Sequence, residues 1–179
     1  MEICPVERSS LPEFLVHVEA HLSENGDNGF YFAPRPKGDR SGTASRAERF
    51  ATGLTLPVGS PGWCRMWIAK THEGLIAGHL ELQSHPFPHA EHRCVLGMGV
   101  ERTHRSKGIG SRLIGTAEQW AVAQERLEWI DLRVLSDNHR AIRLYERCGY
   151  QKNGEISDLF RIDGLHLGDF SMAKRVRGF

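Results

Sequence analysis

A chain of 179 residues with 40% hydrophobic side chains is one domain's worth of sequence and enough for a substantial core. Its formal charge of +1 offers no overall field for nucleic acid, and no eighteen-residue apolar stretch is present to cross a membrane. Cys4, Cys64, Cys94 and Cys148 lack CxxC spacing, and three of them lie in or beside apolar segments, so free thiols in a reducing compartment are expected rather than disulfides. With no basic-plus-apolar leader after Met1, the expectation is a soluble cytoplasmic protein, a single domain over residues 1–179, with no nucleic-acid and no membrane partner.

Ile3 to Val6 reads as a short first strand. Ser10-Leu11-Pro12-Glu13 has the form of a capping box with proline in the first turn, and Leu11, Phe14, Leu15, Val18 and Leu22 then share one helical face up to Asn25-Gly26. Residues 25–42, rich in Gly, Pro and charge, are expected to form a mobile loop. Ser45 to Leu56 reads as a second helix, with Ala47, Phe50, Ala51 and Leu54 on one face and Ser45 with Glu48 as another capping box.

Pro57 to Gly62 breaks the pattern before a strand at Cys64–Ala69, a turn at His72-Glu73-Gly74 and a second strand at Leu75–Gln83. Alternation puts Ile76, Gly78, Leu80 and Leu82 on one face of that strand and Ala77, His79, Glu81 and Gln83 on the other. Cys94 to Val100 is apolar on both faces, as a covered central strand should be; Gly97 and Gly99 inside it signal a bulge or a close approach of a ligand to the backbone. A helix is expected from Gly108 to about Arg126, a strand over Trp129–Leu135 and a short helix over Asn138–Cys148 stopped by Gly149. Two final strands, Tyr150–Ile162 with interruptions and Leu165–Lys174, are joined by Asp163-Gly164, a tight hairpin turn. Lys174, Arg175 and Arg177 read as a fraying basic tail.

The run from Val100 to Ser111 joins the end of an apolar strand to a basic, glycine-containing turn and the start of an amphipathic helix. Such a turn exposes the first free N–H groups of the helix where its dipole favours an anion, so Arg105, Ser106, Lys107, Gly108, Ile109, Gly110 and Ser111 form a candidate diphosphate site.

The pattern Arg105-x-x-Gly108-x-Gly110 resembles the acetyl-coenzyme A loop of the GNAT N-acetyltransferase superfamily. Leu132 to Tyr150 resembles the same family's second motif, in which an asparagine (Asn138) is followed seven residues later by a tyrosine (Tyr145) and then by a Gly-aromatic pair (Gly149-Tyr150). With its flanking strands the resemblance covers Cys64 to Val176. It implies an α/β (α+β) GNAT fold: a mixed, mostly antiparallel sheet of about seven strands flanked by about four helices, splayed between the fourth and fifth strands. The implied cofactor is acetyl-CoA, and the implied acceptor is a small-molecule or peptide amine attacking the thioester directly in a ternary complex.

Carried over residue by residue, the resemblance gives Met98, Gly99 and Val100 as backbone partners of the pantetheine arm, with the Met98 N–H aimed at the thioester oxygen. Asn138 and Ala141 would meet the cofactor, although Asn138 equally suits a helix N-cap. Tyr145 would protonate the departing thiolate, and Arg140 or Arg143 would reach phosphate or solvent. Some family members carry a glutamate base five residues before the asparagine; here that residue is Arg133, leaving Glu81 and His79 as candidate bases, direct or through water. Phe30, Tyr31, Phe32 and Trp63 either wall an amine pocket or pack on the core. The spacing of His85, His89, His92 and Cys94 matches no common zinc template, so no metal is expected. A non-catalytic acyl-CoA-binding sensor is the rival reading; a nucleotide-binding domain is weaker, since no G-x-x-x-x-G-K-[ST] occurs. The fold's exposed last strands leave a homodimer open.

Overall fold

A computed structural model describes residues 1–177. Its elements run β1 (Glu2–Pro5), α1 (Leu11–Ser23), α2 (Thr43–Gly53), β2 (Cys64–Lys70), β3 (Ile76–Ser84), β4 (Arg93–Val100), a short 3-10 turn at Arg102–His104, α3 (Ile109–Val122), β5 (Trp129–Leu135), α4 (His139–Arg147), β6 (Gln151–Ile162) and β7 (Leu165–Arg175). The seven strands form one sheet in the order β1-β2-β3-β4-β5-β7-β6. Every neighbouring pair is antiparallel except β4 and β5.

Strand alternation distributes the apolar side chains over two cores. Trp67, Leu80, Leu82, Leu96, Ile130 and Leu132 pack beneath Ile109, Leu113 and Ile114 of α3, whereas Met66 and Ile68 pack with Phe14 and Val18 of α1 and Phe50 of α2. Both faces of the central strands are therefore covered, which is why β2 and β4 read as nearly unbroken apolar runs. All four cysteines are free. Among the described residues no helix is long and apolar enough to cross a membrane.

Several local expectations are corrected. Ser10 occupies the N-cap of α1 without capping it, because its Oγ closes a turn with the N–H and C=O of Glu7 (3.0 and 3.2 Å). The second helix begins at Thr43 behind Gly42 (φ 81°), and Ser45 Oγ donates back to the Gly42 carbonyl at 3.0 Å instead of forming a capping box. Residues 25–42 are held by the buried Asn25, whose Oδ1 accepts from the Phe32 and Ala33 N–H groups (2.9 and 3.0 Å). Its Nδ2 donates to the carbonyls of Ala33 and Arg35 (3.2 and 2.8 Å). Lys174 is no frayed end: its ammonium donates to Glu118 and to the Cys148 carbonyl, both at 2.7 Å. The β6–β7 hairpin turns at Asp163 and Gly164, both left-handed (φ 51° and 81°), as a tight two-residue turn requires.

Candidate active site

The seam between β4 and β5 is short. Pairing is confined to Arg93–Trp129, Cys94–Ile130 and Val95–Asp131, after which Leu96–Val100 stays with β3 and Leu132–Leu135 stays with β7. A cleft opens between the two halves of the sheet. Glu101 N–H donates to the Ala77 carbonyl at 3.0 Å, and antiparallel alternation from that bond turns the backbone groups of Gly97 and Gly99 toward β3 and those of Met98 and Val100 toward the cleft. Opposite, Ser136 N–H donates to the Gly168 carbonyl at 2.9 Å, so Arg133 and Leu135 face the cleft from β5. Arg105 Nε occupies the Val100 carbonyl (2.8 Å) and Asn138 N–H the Leu135 carbonyl (2.9 Å). The Met98 amide points into the gap.

The loop after β4 ends in two left-handed residues, Ser106 (φ 62°) and Gly108 (φ 77°). The first helical bond of α3 runs from Arg112 N–H to the Gly108 carbonyl at 3.1 Å, leaving Ile109, Gly110 and Ser111 N–H without a helical acceptor at the positive end of the dipole. Ser106, Lys107 and Gly108 are exposed. Arg105 braces this loop: besides holding the Val100 carbonyl, its guanidinium meets Glu24 at 3.0 Å. From α4, Arg140 Nη2 reaches Ser106 Oγ at 2.8 Å. Gly110 lets α3 start hard against the strand, since a Cβ there would lie 2.8 Å from Leu144 and 3.2 Å from Met98.

Asn138 caps α4, with Oδ1 accepting from Ala141 N–H at 3.2 Å. Tyr145 is buried beside Tyr150 (ring centroids 6.0 Å), and desolvation drives its phenol well above 10, so it stays protonated. Burial likewise pushes the Cys64 thiol up to about 11 and that of Cys94 up to about 12.

On the α1–α2 face the two glycines of β4 have a different explanation from a bulge, for the β3–β4 register is unbroken. A Cβ at Gly97 would lie 2.8 Å from Glu81 Oε1, and one at Gly99 would collide with the rings of His21 and His79. Glu81 and His79, one strand away, thus lie directly over the open strand. Burial raises the Glu81 carboxyl, opposed by Arg49 and Arg46 on α2. Burial lowers His79 well below its usual value, and it brings His17 and His21 to about 4. Arg133, the residue that displaces the expected glutamate, is bound through Nε to the buried Asp169 at 2.6 Å.

Sequence reasoning missed His17, His21, Glu101 and Asp169. The signal for the first two was present: positions 14, 17, 18 and 21 form one helical stripe, and the histidines belong to the buried face of α1. Trp63 packs in the core, while Phe30 and Tyr31 line a hollow of about 200 Å³ with Leu135, Asp137, Leu165 and Leu167 at the cleft's end. A larger hollow of about 490 Å³ lies away from Met98, between α4 and β6.

The model of the acetyltransferase (GNAT) family matches residues 42–150. The chain belongs to the GNAT acetyltransferase family. A curated relative, the N-terminal acetyltransferase A complex catalytic subunit NAA10 of Arabidopsis thaliana, is 30% identical over 115 residues, 63% of this chain and 58% of the relative. The chain thus spans about three-fifths of the length of this relative and of the L-amino acid N-acetyltransferase AaaT of Escherichia coli, and less of other curated relatives it matches. The crystal structure of a GNAT acetyltransferase from Streptococcus pneumoniae superposes with a TM-score of 0.80 at 20% identity, covering 98% of this chain and 100% of the other. That of yncA from Salmonella typhimurium with acetyl-CoA gives 0.79 at 14% identity over 100% of this chain and 95% of the other. Both share the fold of this chain, in which one seven-stranded sheet is flanked by four α-helices among the described residues.

Proposed function

We propose that this GNAT protein is an acetyl-CoA-dependent N-acetyltransferase that passes the acetyl group to a primary amine by direct attack in a ternary complex. The observation that carries the reading is the pairing of two sets of amides without a backbone acceptor, Met98 facing the cleft and Ile109 to Ser111 at the head of α3, where a Cβ on Gly110 would lie 3.2 Å from the Met98 side chain. A phosphate-bearing, amide-rich arm suits those amides, and a GNAT neighbour was solved with acetyl-CoA. The bound thioester supplies an acetyl group activated for transfer.

The protein's own groups then divide the work. The amides of residues 106–111 hold the diphosphate, with Lys107 exposed beside them and Arg140 fixing Ser106. The Met98 N–H stabilises the oxygen on which charge develops. Tyr145, held protonated by burial, donates to the leaving thiolate. Glu81 over Gly97 meets the incoming ammonium, and a base over the open strand takes its proton. With the Cys64 and Cys94 thiols held protonated, no cysteine thiolate there competes as an acyl carrier, which favours direct attack.

The test is thiol release from acetyl-CoA across a library of primary amines, comparing the native protein with Tyr145→Phe. The expected result is turnover with at least one amine and a kcat about 100-fold lower in the variant at unchanged KM. Coenzyme A binding without release for any amine would instead establish a non-catalytic sensor.

A further inference from the structure

Three titratable side chains form a series that ends at the open strand. His79 Nδ1 lies 2.9 Å from His17 Nε2, and His17 Nδ1 lies 3.4 Å from Glu101 Oε1. Both rings are buried, whereas the glutamate is one-quarter exposed, so the series runs from the open strand toward the surface. At its inner end His79 Cε1, the ring carbon between Nδ1 and Nε2, lies 2.6 Å from where a Cβ on residue 99 would be, with His21 Nε2 closer still, so only a bare glycine peptide separates these imidazoles from the cleft.

We propose that His79 is the proton acceptor for the incoming amine and that His17 and Glu101 are positioning residues that fix its tautomer. This rests on the acetyltransferase reading above and identifies its base. The Glu101 carboxylate favours a proton on His17 Nδ1, which leaves His17 Nε2 as an acceptor. His79 must then donate from Nδ1, and its Nε2 carries the free lone pair. In the reaction the ammonium N–H bond breaks and its proton passes to His79 Nε2; the freed amine forms the C–N bond, the thioester C–S bond breaks, Tyr145 protonates the departing thiolate and is restored by the second proton that the nitrogen sheds on becoming an amide, and the His79 proton leaves to solvent. The Nδ1 proton stays on His79 throughout.

The surroundings discriminate between the candidate bases. His21 also reaches Gly99, yet its ring stacks on Phe32 (centroids 4.6 Å) and its buried Nδ1 has no partner, so nothing selects its tautomer. Glu81 is set over Gly97 beneath Arg46 and Arg49 and holds the ammonium by charge. The groups acting on His79 are His21 and His17, both from α1; Glu13 acts on His17, Arg105 and His17 act on His21, and Glu24, Arg105 and His104 act on Glu101.

Two measurements on the intact protein test the proposal. Nitrogen NMR of the imidazoles reads the tautomer without any substrate: His79 is expected with Nδ1 protonated and Nε2 bare, and Glu101→Gln or His17→Leu is expected to mix the two forms. The pH profile of kcat then reads function. Glu101→Gln should lower kcat about tenfold at unchanged KM and move the acid limb to lower pH, and Glu101→Asp should recover most of the loss. A proton on His79 Nε2, or an acid limb that follows Glu81→Gln and ignores Glu101→Gln, overturns it. A native protein inert toward every amine defeats the acetyltransferase reading instead, while the tautomer still decides this one.

Discussion

Gly99 holds its place because two imidazoles occupy the space a side chain would need. Gly99→Ala must displace His21, His79 or the strand itself, and overpacking of this kind costs about 1–3 kcal/mol. The comparison is Gly154→Ala, where an added Cβ meets nothing within 4 Å and the change should stay within about 0.5 kcal/mol. Urea titration of both variants checks the pair. The same histidines set a pH dependence: in the unfolded chain His17 and His21 titrate near 6.5, but burial holds them at about 4 in the folded protein. Between those values the unfolded state binds more protons, so stability is intact above pH 6.5 and falls as pH drops toward 4. Each histidine contributes at most about 1.4 kcal/mol per pH unit. Urea midpoints at pH 7.0, 5.5 and 4.5 should decline in that order; a flat series would mean the rings titrate freely. Glu81 and His79 were legible as one polar face of an alternating strand. Their partners were not, because spacing along one chain says which face of α1 is buried but not that His17 will meet His79 across 62 positions.

The junction of β4 and α3 leads from a strand edge to the free amides of a helix N-terminus, the proposed diphosphate site, by backbone geometry alone. Gly108→Ala introduces no clash, since nothing lies within 4 Å of the added Cβ, yet it places a side chain at φ 77°. The expected cost is about 1 kcal/mol of stability. Because relief comes by rotating the peptides that present the amides, calorimetry should show coenzyme A affinity falling by more than the stability loss alone implies. An unchanged affinity would remove the loop from the binding site. Elements with strong period-two or helical patterning were readable almost to the residue, as at Trp129–Leu135. Element ends were less so: both serine capping boxes failed because each hydroxyl found a nearer backbone partner, Glu7 in one case and Gly42 in the other. Composition marked residues 25–42 as a loop but not its anchor, the Asn25 amide, which satisfies four backbone groups and replaces the regular structure that the segment lacks.

At the scale of the molecule, β1–β4 and β5–β7 are two half-sheets sharing a seam of three paired residues, and the site is the place where that seam stops. Two motifs in the sequence located both lips of the cleft, since each lip is a continuous segment. The hollow at the cleft's end is assembled from segments far apart in the chain, residues 29–31, 135–137 and 165–167, and no local pattern announces such a meeting. The most direct test is therefore a crystal structure with acetyl-CoA. The account requires the diphosphate on the amides of residues 106–111, the pantetheine arm between residues 96–100 and 132–136, and the thioester oxygen within hydrogen-bonding distance of Met98 N–H. Cofactor seated in the hollow between α4 and β6, with the β4–β5 cleft closed or empty, would contradict it.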